Sequence, residues 1–233
     1  MVSMIICDLD GTLLPKNAKN LQPNILDALD SFSEKGIALC IATGRSYVQV
    51  KRMFEGLKHP AYFICSDGGI TVYKEETLLK FPIAFDKTDY PTAIGYGKYI
   101  AYASCGNKPF YRQAKADYNG HVLPLCECRD EIYKVAVKNA PLKEIPGLKR
   151  IYKDATWQEY ISPETDKGVA LSALQKKLGI KKEETYIFGD GLNDIPMTPY
   201  GKSFLIGNGF PGWQNHFEQK YKDFMTAIKE VTL

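Results

Sequence analysis

The chain has 233 residues, of which 45% are hydrophobic, and its formal net charge at pH 7 is +3. This length and hydrophobic content suit one large domain or two modest ones with a proper core. The positive excess is small and scattered, so we expect no nucleic-acid partner, and no apolar run reaches the about 18 residues of a membrane span.

The first part of the chain alternates between strand and helix signals. Short apolar runs predict strands over residues 4–7, 37–42 and 61–65. Between them, apolar residues at helical spacing predict helices over residues 24–35 and 46–57. This β-α-β-α-β order predicts a parallel, doubly wound sheet with right-handed crossovers.

The middle of the chain has a different pattern. Residues 70–73 and 78–81 are typical of a hairpin. Nine of the fifteen tyrosines then fall within residues 82–162, where Gly, Pro and Lys are interleaved. Strand-like segments occur there over residues 132–137 and 155–161. We interpret this stretch as a small inserted α+β domain.

The alternation of helix and strand signals returns near the end of the chain. An amphipathic pattern predicts a helix over residues 168–178, and two apolar runs predict strands over 185–188 and 203–206. We also expect a terminal helix over residues 214–231.

The segments that predict the sheet therefore come from both ends of the chain. We predict a core domain formed by residues 1–81 and 163–233, and an inserted domain formed by residues 82–162. The expected fold class is α/β: a doubly wound, Rossmann-like core with a parallel sheet, carrying a small α+β insertion.

The cysteines favour a reducing compartment. Cys7, Cys40 and Cys65 lie in apolar strand-like runs and fit small buried hydrophobic residues. Cys126 and Cys128 lack the second pair of ligands that a structural zinc site needs. The sequence goes directly into its first predicted strand, with no signal-peptide pattern, so we predict a cytoplasmic protein.

Two aspartates end the first predicted strand. Asp8 and Asp10 follow the apolar run, and Gly11-Thr12 comes next. Because side chains alternate along a strand, both carboxylates can reach the same side of its tip, where parallel sheets bind ligands. Carboxylates this close repel each other unless a cation lies between them or one is protonated.

Three further motifs fall where strands end or helices begin. They are Thr43-Gly44-Arg45 after the second strand, Lys167 at the start of a helix, and Gly189-Asp190-Gly191-Leu192-Asn193-Asp194 after a late strand. Together with Asp8 and Asp10 they supply carboxylates for a hard cation, a hydroxyl, an ammonium and exposed backbone amides. This set of groups suits phosphoryl transfer, because Mg²⁺ takes oxygen ligands and phosphate takes N–H and O–H donors.

In this order, the four motifs resemble those of the haloacid dehalogenase superfamily of aspartate-nucleophile phosphatases. The inserted domain is similar to a C2-type cap, and the Ala-Thr-Gly-Arg and Gly-Asp-Gly-x-Asn-Asp forms match the Cof-like branch. The resemblance implies a Mg²⁺-dependent phosphatase that hydrolyses small phosphomonoesters, such as phosphosugars, through an aspartyl-phosphate. Its expected partner is a small phosphorylated metabolite, and the sequence fits a monomer or a homodimer.

The resemblance also implies a role for each motif residue. Asp8 would be the nucleophile, and Asp10 would protonate the leaving oxygen and then help to activate water. Thr43 and Lys167 would complete the catalytic set by binding the transferring phosphoryl oxygens. The implied metal ligands are Asp8, Asp10 (through its backbone carbonyl), Asp190 and Asp194. The implied phosphate-binding residues are Leu9, Gly11, Thr43, Gly44, Lys167 and Asn193.

Each motif residue taken alone has an ordinary structural explanation. Thr43 could cap a helix, Lys167 could be a solvated surface lysine, and Asp190 or Asp194 could be turn residues. Two other functions also stay open: a phosphomutase of the same fold, and a phosphate-ligand binder without catalysis. The binder has no need of a nucleophile such as Asp8.

Two segments depart from the family pattern. Ser66-Asp67-Gly68-Gly69 stands where an Asn-Gly-Ala turn is common, and Asp67 adds a carboxylate near the predicted site. After the late Gly-Asn turn, Phe210-Pro211-Gly212-Trp213 does not match the residues expected for the family. Within the cap, candidates for contacting the leaving group by charge and position are Arg112, Lys115, Lys134 and the tyrosines.

Overall fold

The computed structural model describes residues 1–15, 18–85, 90–118, 121–138, 144–207 and 212–231. Two β-sheets organise it, one of eight strands and one of six. Within the described part, no helix combines the length and the apolar character that crossing a membrane requires.

The structure contains fourteen strands and five α-helices in its described residues. In chain order the strands are β1 (Met4–Asp8), β2 (Ala38–Ala42), β3 (Tyr62–Cys65), β4 (Ile70–Tyr73), β5 (Glu76–Lys80), β6 (Ala93–Tyr96), β7 (Ala101–Ala103), β8 (Val122–Pro124), β9 (Lys134–Lys138), β10 (Lys149–Lys153), β11 (Trp157–Ile161), β12 (Thr185–Gly189), β13 (Lys202–Ile206) and β14 (Gln219–Tyr221). The helices are α1 (Pro23–Glu34), α2 (Tyr47–Lys51), α3 (Lys108–Asp117), α4 (Lys167–Leu178) and α5 (Phe224–Glu230).

The larger sheet has the strand order β14-β13-β12-β1-β2-β3-β4-β5. Strand β1 lies near its centre, and Met4 pairs in parallel with both Thr185 of β12 and Ala38 of β2. The pairs from β14 to β3 are parallel, whereas β4 and β5 add an antiparallel hairpin at one edge. The predicted α/β fold is confirmed, and so is the hairpin.

The larger sheet is covered by helices on both faces. Ile5 and Cys7 of β1 belong to the core that includes residues of α1, α2 and α5, whereas Met4 and Ile6 face α4 on the opposite side. All four of these side chains are fully buried. Burying a side chain of this size stabilises the fold by roughly 1.5–3 kcal/mol, so the alternation along β1 fixes its orientation in the sheet.

Two predicted helices are wrong in extent. The helix expected over 46–57 is only α2 followed by a 3₁₀ turn at Arg52–Phe54. The terminal helix expected over 214–231 is a 3₁₀ turn at Trp213–His216, then strand β14, then α5. Strand β14 pairs with the otherwise open edge of β13, and this pairing satisfies backbone groups that local helix propensity does not take into account. Asp223 then starts α5, because its Oδ1 accepts a hydrogen bond from the Thr226 N–H at 2.8 Å.

The smaller sheet is formed by the chain between β5 and α4. Its strand order is β10-β11-β9-β6-β7-β8, and every pair is antiparallel except β7 with β8. The segments expected over 132–137 and 155–161 correspond to β9 and β11. Helix α3 packs on one face of this sheet through Ala114.

The cysteines fall into two groups. Cys7, Cys40 and Cys65 are buried, as predicted. The Cys126 Sγ is exposed and lies 3.1 Å from the Cys105 Sγ, whereas the buried Cys128 thiol donates to a backbone carbonyl. The sulfurs of Cys126 and Cys128 therefore have different neighbours. Of the segment Phe210-Pro211-Gly212-Trp213, the first two residues lie outside the described part of the chain, as do Asn208 and Gly209 of the turn before it.

Asp30 of α1 fixes the loop that precedes β3. Its buried carboxylate accepts hydrogen bonds from the backbone N–H groups of Lys58 and His59 at 3.0 and 3.1 Å. Burial opposes ionisation, but the hydrogen bonds from Lys58 and His59 outweigh it and lower the pKa of Asp30.

We expect Asp30→Ala to lower the free energy of unfolding by about 1–3 kcal/mol at pH 7, because it leaves these amides unpaired. Since the folded pKa of Asp30 is depressed, its contribution is present above the unfolded pKa of about 3.9 and is lost as the pH falls through the folded value. Urea unfolding of the wild type and of Asp30→Ala at pH 7 and near pH 3 measures this contribution. If the difference in free energy of unfolding between the two proteins does not shrink at low pH, the proposed role of the ionised Asp30 carboxylate is contradicted.

Candidate active site

The predicted motifs meet at the carboxyl ends of three neighbouring strands. Asp8 is the last residue of β1, Thr43 directly follows β2, and Asp190 directly follows β12. The parallel register places Asp8 beside Ala42, and Cys7 beside Phe188. Segments from the first and last parts of the chain therefore meet at the end of the sheet where its parallel strands finish, as the alternating pattern predicts.

Three carboxylates form a compact group at this edge. Oxygens of Asp8, Asp190 and Asp194 all lie within 4.8 Å of one another. Gly11 makes the close approach possible, because its φ is +100° and a Cβ atom there would lie 2.1 Å from Asp190 Oδ2. Only glycine fits this conformation and this contact together.

The ammonium of Lys167 lies inside the carboxylate group. Its Nζ is 2.7 Å from Asp8 Oδ1 and 2.7 Å from Asp194 Oδ1, and the whole side chain is buried. Burial lowers the pKa of Lys167, but the Asp194 and Asp8 carboxylates outweigh it and raise that pKa above the ordinary value. The ordinary interpretation of Lys167 as a solvated surface lysine is therefore wrong.

The surroundings of Asp8 disfavour its ionised form. Burial and the nearby Asp194 and Asp190 carboxylates raise the pKa of Asp8 well above its ordinary value, while the Lys167 ammonium opposes this. Three carboxylates and one ammonium leave two negative charges, which a divalent cation would balance. Carboxylate oxygens are also the ligands that Mg²⁺ prefers, so the residues present fit such an ion.

Asp194 also shapes the loop that carries Asp190. Its Oδ2 accepts hydrogen bonds from the backbone N–H groups of Asp190 at 3.0 Å and Gly191 at 2.9 Å. Its Oδ1 accepts from Lys167. One buried carboxylate thus joins the loop and the helix α4 to the carboxylate group.

Asp10 lies apart from this group. Its exposed carboxylate is held by Arg45, whose Nε donates to Oδ2 at 2.9 Å and whose Nη2 lies 2.5 Å from Oδ1. In the described part of the chain, the carboxylate cluster contains Asp8, Asp190 and Asp194 without the Asp10 side chain. Arg45 therefore orients Asp10 at the rim, which the sequence did not predict.

Several predicted phosphate-binding groups have partners within the protein. The Thr43 hydroxyl is buried and accepts a hydrogen bond from the Arg45 N–H at 3.1 Å, consistent with a turn-capping role. The Gly11 N–H donates to the Leu14 carbonyl at 2.8 Å, and the Leu9 side chain is fully buried. Binding of phosphate by Thr43, Leu9 and Gly11 stays a prediction.

A buried ion-pair network joins the smaller sheet to the site. The Lys134 ammonium of β9 lies 2.9 Å from the Gly44 carbonyl, 2.9 Å from Asp67 Oδ2 and 2.6 Å from Glu159 Oε2. Asn193 completes the network by donating from Nδ2 to Asp67 Oδ1 at 2.9 Å. We call these four side chains, Asp67, Lys134, Glu159 and Asn193, the bridging network.

The charges of the bridging network stabilise each other. Burial opposes ionisation of both groups, but Lys134 lowers the pKa of Asp67, and Asp67 with Glu159 raises the pKa of Lys134. Asp67 adopts a left-handed conformation with φ of +52°, which is uncommon for a residue other than glycine. The sequence draws attention to Asp67, because its segment differs from the Asn-Gly-Ala turn that is common in the family. Nothing in the sequence singles out Glu159.

A cavity of about 470 Å³ opens above the carboxylates. It is lined by Asp8, Asp10, Gly44, Arg45, Gln49, Tyr96, Tyr118, Lys134, Trp157, Glu159, Asp190, Gly191 and Asn193. Of the candidates expected to contact a leaving group, Lys134 and two tyrosines line this cavity. Arg112 and Lys115, which are exposed on α3, are not among its lining residues.

Comparison with known proteins gives one family. The family model for haloacid dehalogenase-like hydrolases matches residues 5–144 and 127–217. A curated protein named HMP-PP phosphatase from Klebsiella pneumoniae (strain 342) is 25% identical, covering 91% of this chain and 86% of that protein. The 5-amino-6-(5-phospho-D-ribitylamino)uracil phosphatase YbjI of Escherichia coli (strain K12) is 23% identical, covering 89% and 86%.

Solved structures share the same fold. A haloacid dehalogenase-like hydrolase from Bacteroides thetaiotaomicron superposes with a TM-score of 0.83 at 16% identity, covering all of both chains. A second one, from B. subtilis, has a TM-score of 0.79 at 20% identity and covers 99% of this chain and 100% of that chain. The similarity extends over both sheets.

Proposed function

Because this chain belongs to the haloacid dehalogenase-like hydrolases, we propose that it is a Mg²⁺-dependent phosphatase that hydrolyses small phosphomonoesters through an aspartyl-phosphate at Asp8. The observation that carries the proposal is the buried group of Asp8, Asp190 and Asp194 around the Lys167 ammonium. The phosphatase names of the curated relatives support it.

In the first step, a carboxylate oxygen of Asp8 forms a bond to phosphorus, and the bond from phosphorus to the leaving oxygen breaks. Asp10 gives its proton to that oxygen, so the product leaves as a neutral alcohol. In the second step, Asp10 takes a proton from water while the water oxygen attacks phosphorus, which releases phosphate and restores Asp8. Arg45 would hold Asp10 in position between the two steps.

The carboxylate group also has an electrostatic role. A phosphate dianion and the Asp8 carboxylate repel each other strongly in a buried site. Mg²⁺ held by Asp8, Asp190 and Asp194 would supply positive charge between them. Lys167 contributes a fixed ammonium next to Asp8, so that charge on the phosphoryl oxygens is stabilised without reorganisation of solvent.

The smaller sheet is proposed to be the cap of this site, corresponding to residues 82–162 between the two parts of a core formed by residues 1–81 and 163–233. Contacts of Lys134 with Gly44 and Asp67 support this role, because they attach the inserted unit to core loops at the cavity mouth. A closed cap would exclude water while Asp8 is phosphorylated.

Removal of the metal tests the proposal directly. We expect p-nitrophenyl phosphate hydrolysis in Mg²⁺ to fall by about a thousandfold or more in excess EDTA, and to recover when Mg²⁺ is restored. Binding should also be visible without substrate, because Mg²⁺ at 100 times its Kd stabilises the fold by about 2.7 kcal/mol.

A matched pair of variants locates the ion. Asp190→Asn should lose most of the Mg²⁺-dependent rise in melting temperature, whereas Asp27→Asn, the same change on the exposed surface of α1, should keep it. Equal hydrolysis with and without EDTA would reject the metal-dependent mechanism.

A further inference from the structure

Two side-chain cations line the described wall of the active-site cavity, Arg45 and Lys134, and both are already paired. The Nε and Nη2 atoms of Arg45 are taken by Asp10. An ammonium has three N–H donors, and those of Lys134 match three acceptors: the Gly44 carbonyl, Asp67 and Glu159. Each cation is therefore already paired with at least one carboxylate.

The same wall carries more negative than positive charge. With Asp10 carrying the proton that the proposed first step needs, Asp8, Glu159 and Asp190 still outnumber the two cations by one negative charge before any metal is bound. A divalent ion and the buried Lys167 would offset this excess at the reacting phosphate. Lys167 pairs with Asp8 and Asp194, and the ion would be held by the carboxylates of that same group, whereas Glu159 lies on β11 of the smaller sheet.

The cap side presents one carboxylate among aromatic rings. Glu159 accepts a hydrogen bond from Trp157 Nε1 at 2.9 Å and pairs with Lys134, and its side chain is 22% exposed. Tyr96 and Tyr118 stand beside it, with their hydroxyl oxygens 2.7 Å apart. Each carboxylate oxygen has two acceptor sites, so Glu159 can still accept a hydrogen bond from a hydroxyl or an ammonium.

The part of a substrate beyond its reacting phosphate would therefore meet aromatic rings and the group of Asp67, Lys134 and Glu159, whose net charge is −1. A second anionic group there would lie beside Glu159 and would have to share a cation that is already paired with Asp10, Asp67 or Glu159. A hydroxyl or an ammonium would instead find an acceptor, and an ammonium would also be attracted by the faces of Trp157 and the tyrosines.

We propose that this cavity selects phosphomonoesters whose leaving group is neutral or cationic, and discriminates against substrates with a second anionic group. This inference rests on the proposed phosphatase function and specifies its substrate class. Bisphosphates and phosphorylated carboxylic acids are the excluded classes, and polyols and amino alcohols are the accepted ones.

A series of two-carbon monophosphates tests this charge preference at nearly constant size. Phosphoethanolamine has a cationic leaving group, 2-hydroxyethyl phosphate a neutral one, and phosphoglycolate an anionic one. With Mg²⁺ present at pH 7.5, we expect kcat/KM for phosphoglycolate to be about 100-fold below those of the other two. Each compound is also measured as a competitive inhibitor of p-nitrophenyl phosphate hydrolysis, which gives the same order when turnover is slow.

A charge-neutral variant identifies the group responsible. Glu159→Gln removes a negative charge that compensates the Lys134 ammonium, so the ratio of phosphoglycolate to phosphoethanolamine activity should rise about tenfold or more. Glu164→Gln makes the same change at an exposed position outside the cavity and should leave the ratio at its wild-type value.

The outcomes separate this inference from the function on which it rests. A wild-type enzyme that hydrolyses p-nitrophenyl phosphate and prefers phosphoglycolate, or binds it as tightly as phosphoethanolamine, overturns the charge preference alone. An unchanged ratio in Glu159→Gln overturns the role of Glu159. A protein that hydrolyses none of these esters overturns the phosphatase proposal, and the charge preference with it.

Discussion

Replacing Asp8 by asparagine is expected to lower kcat for p-nitrophenyl phosphate by about four orders of magnitude or more. The amide keeps the shape of the side chain but cannot form an aspartyl-phosphate. Because the Asp8 carboxylate is repelled by Asp190 and Asp194 and attracted by Lys167, its neutralisation removes opposing interactions. The melting temperature without metal should therefore change by only about a few degrees.

The control for this experiment is Asp27→Asn on the exposed face of α1, which should keep wild-type kcat. Rapid-quench denaturation of the wild-type enzyme during turnover should trap phosphate on the peptide that contains Asp8. Hydrolysis that persists in Asp8→Asn, or phosphate trapped on another peptide, would contradict the assignment of the nucleophile.

Replacing Lys167 by methionine has the second largest expected effect, because it leaves Asp8 and Asp194 buried without their cation. Breaking a buried pair in this way costs about 3–5 kcal/mol of folding stability, or roughly 6–20 °C in melting temperature for a chain of this size. Activity should fall by about a thousandfold or more, since the ammonium next to the transferred phosphoryl group is lost.

The stability deficit of Lys167→Met should depend on pH. The pKa of Asp8 is already raised in the folded protein, so its protonated form adds stability that is lost as the pH rises through the folded value. Removing the opposing ammonium strengthens this effect, and the deficit should be larger at pH 8 than at pH 5. Lys177→Met, on the exposed surface of the same helix, should lie within about 0.5 kcal/mol of wild type at both pH values.

Strand ends explain why the carboxylate group could be predicted from the sequence. Asp8 and Asp190 each directly follow an apolar run, and parallel strands bring such positions to one edge. The helix signal after the insertion likewise placed Lys167 correctly at the start of α4. Each of these positions is predicted from a local pattern, and the parallel sheet then brings the positions close together.

The residues that escaped prediction are those whose positions depend on packing between distant segments. The pairing of Arg45 with Asp10 and the approach of Lys134 to Asp67 require side chains from segments distant in the chain to meet. No spacing rule relates Glu159 to Gly44, because Glu159 lies on β11 of the smaller sheet and Gly44 lies in the loop after β2 of the larger one. Strand β14 was missed for the same reason, since its pairing with β13 is a tertiary contact.

The central place of β1 has a consequence for biosynthesis. Strand β1 has one of its two neighbours, β2, nearby in the chain, but the other, β12, is translated only after the whole insertion. At about 5–20 residues per second, β1 waits on the order of ten to thirty seconds for that partner. During this interval the apolar edge of β1 is open, so early recruitment of chaperones would favour the yield of native protein.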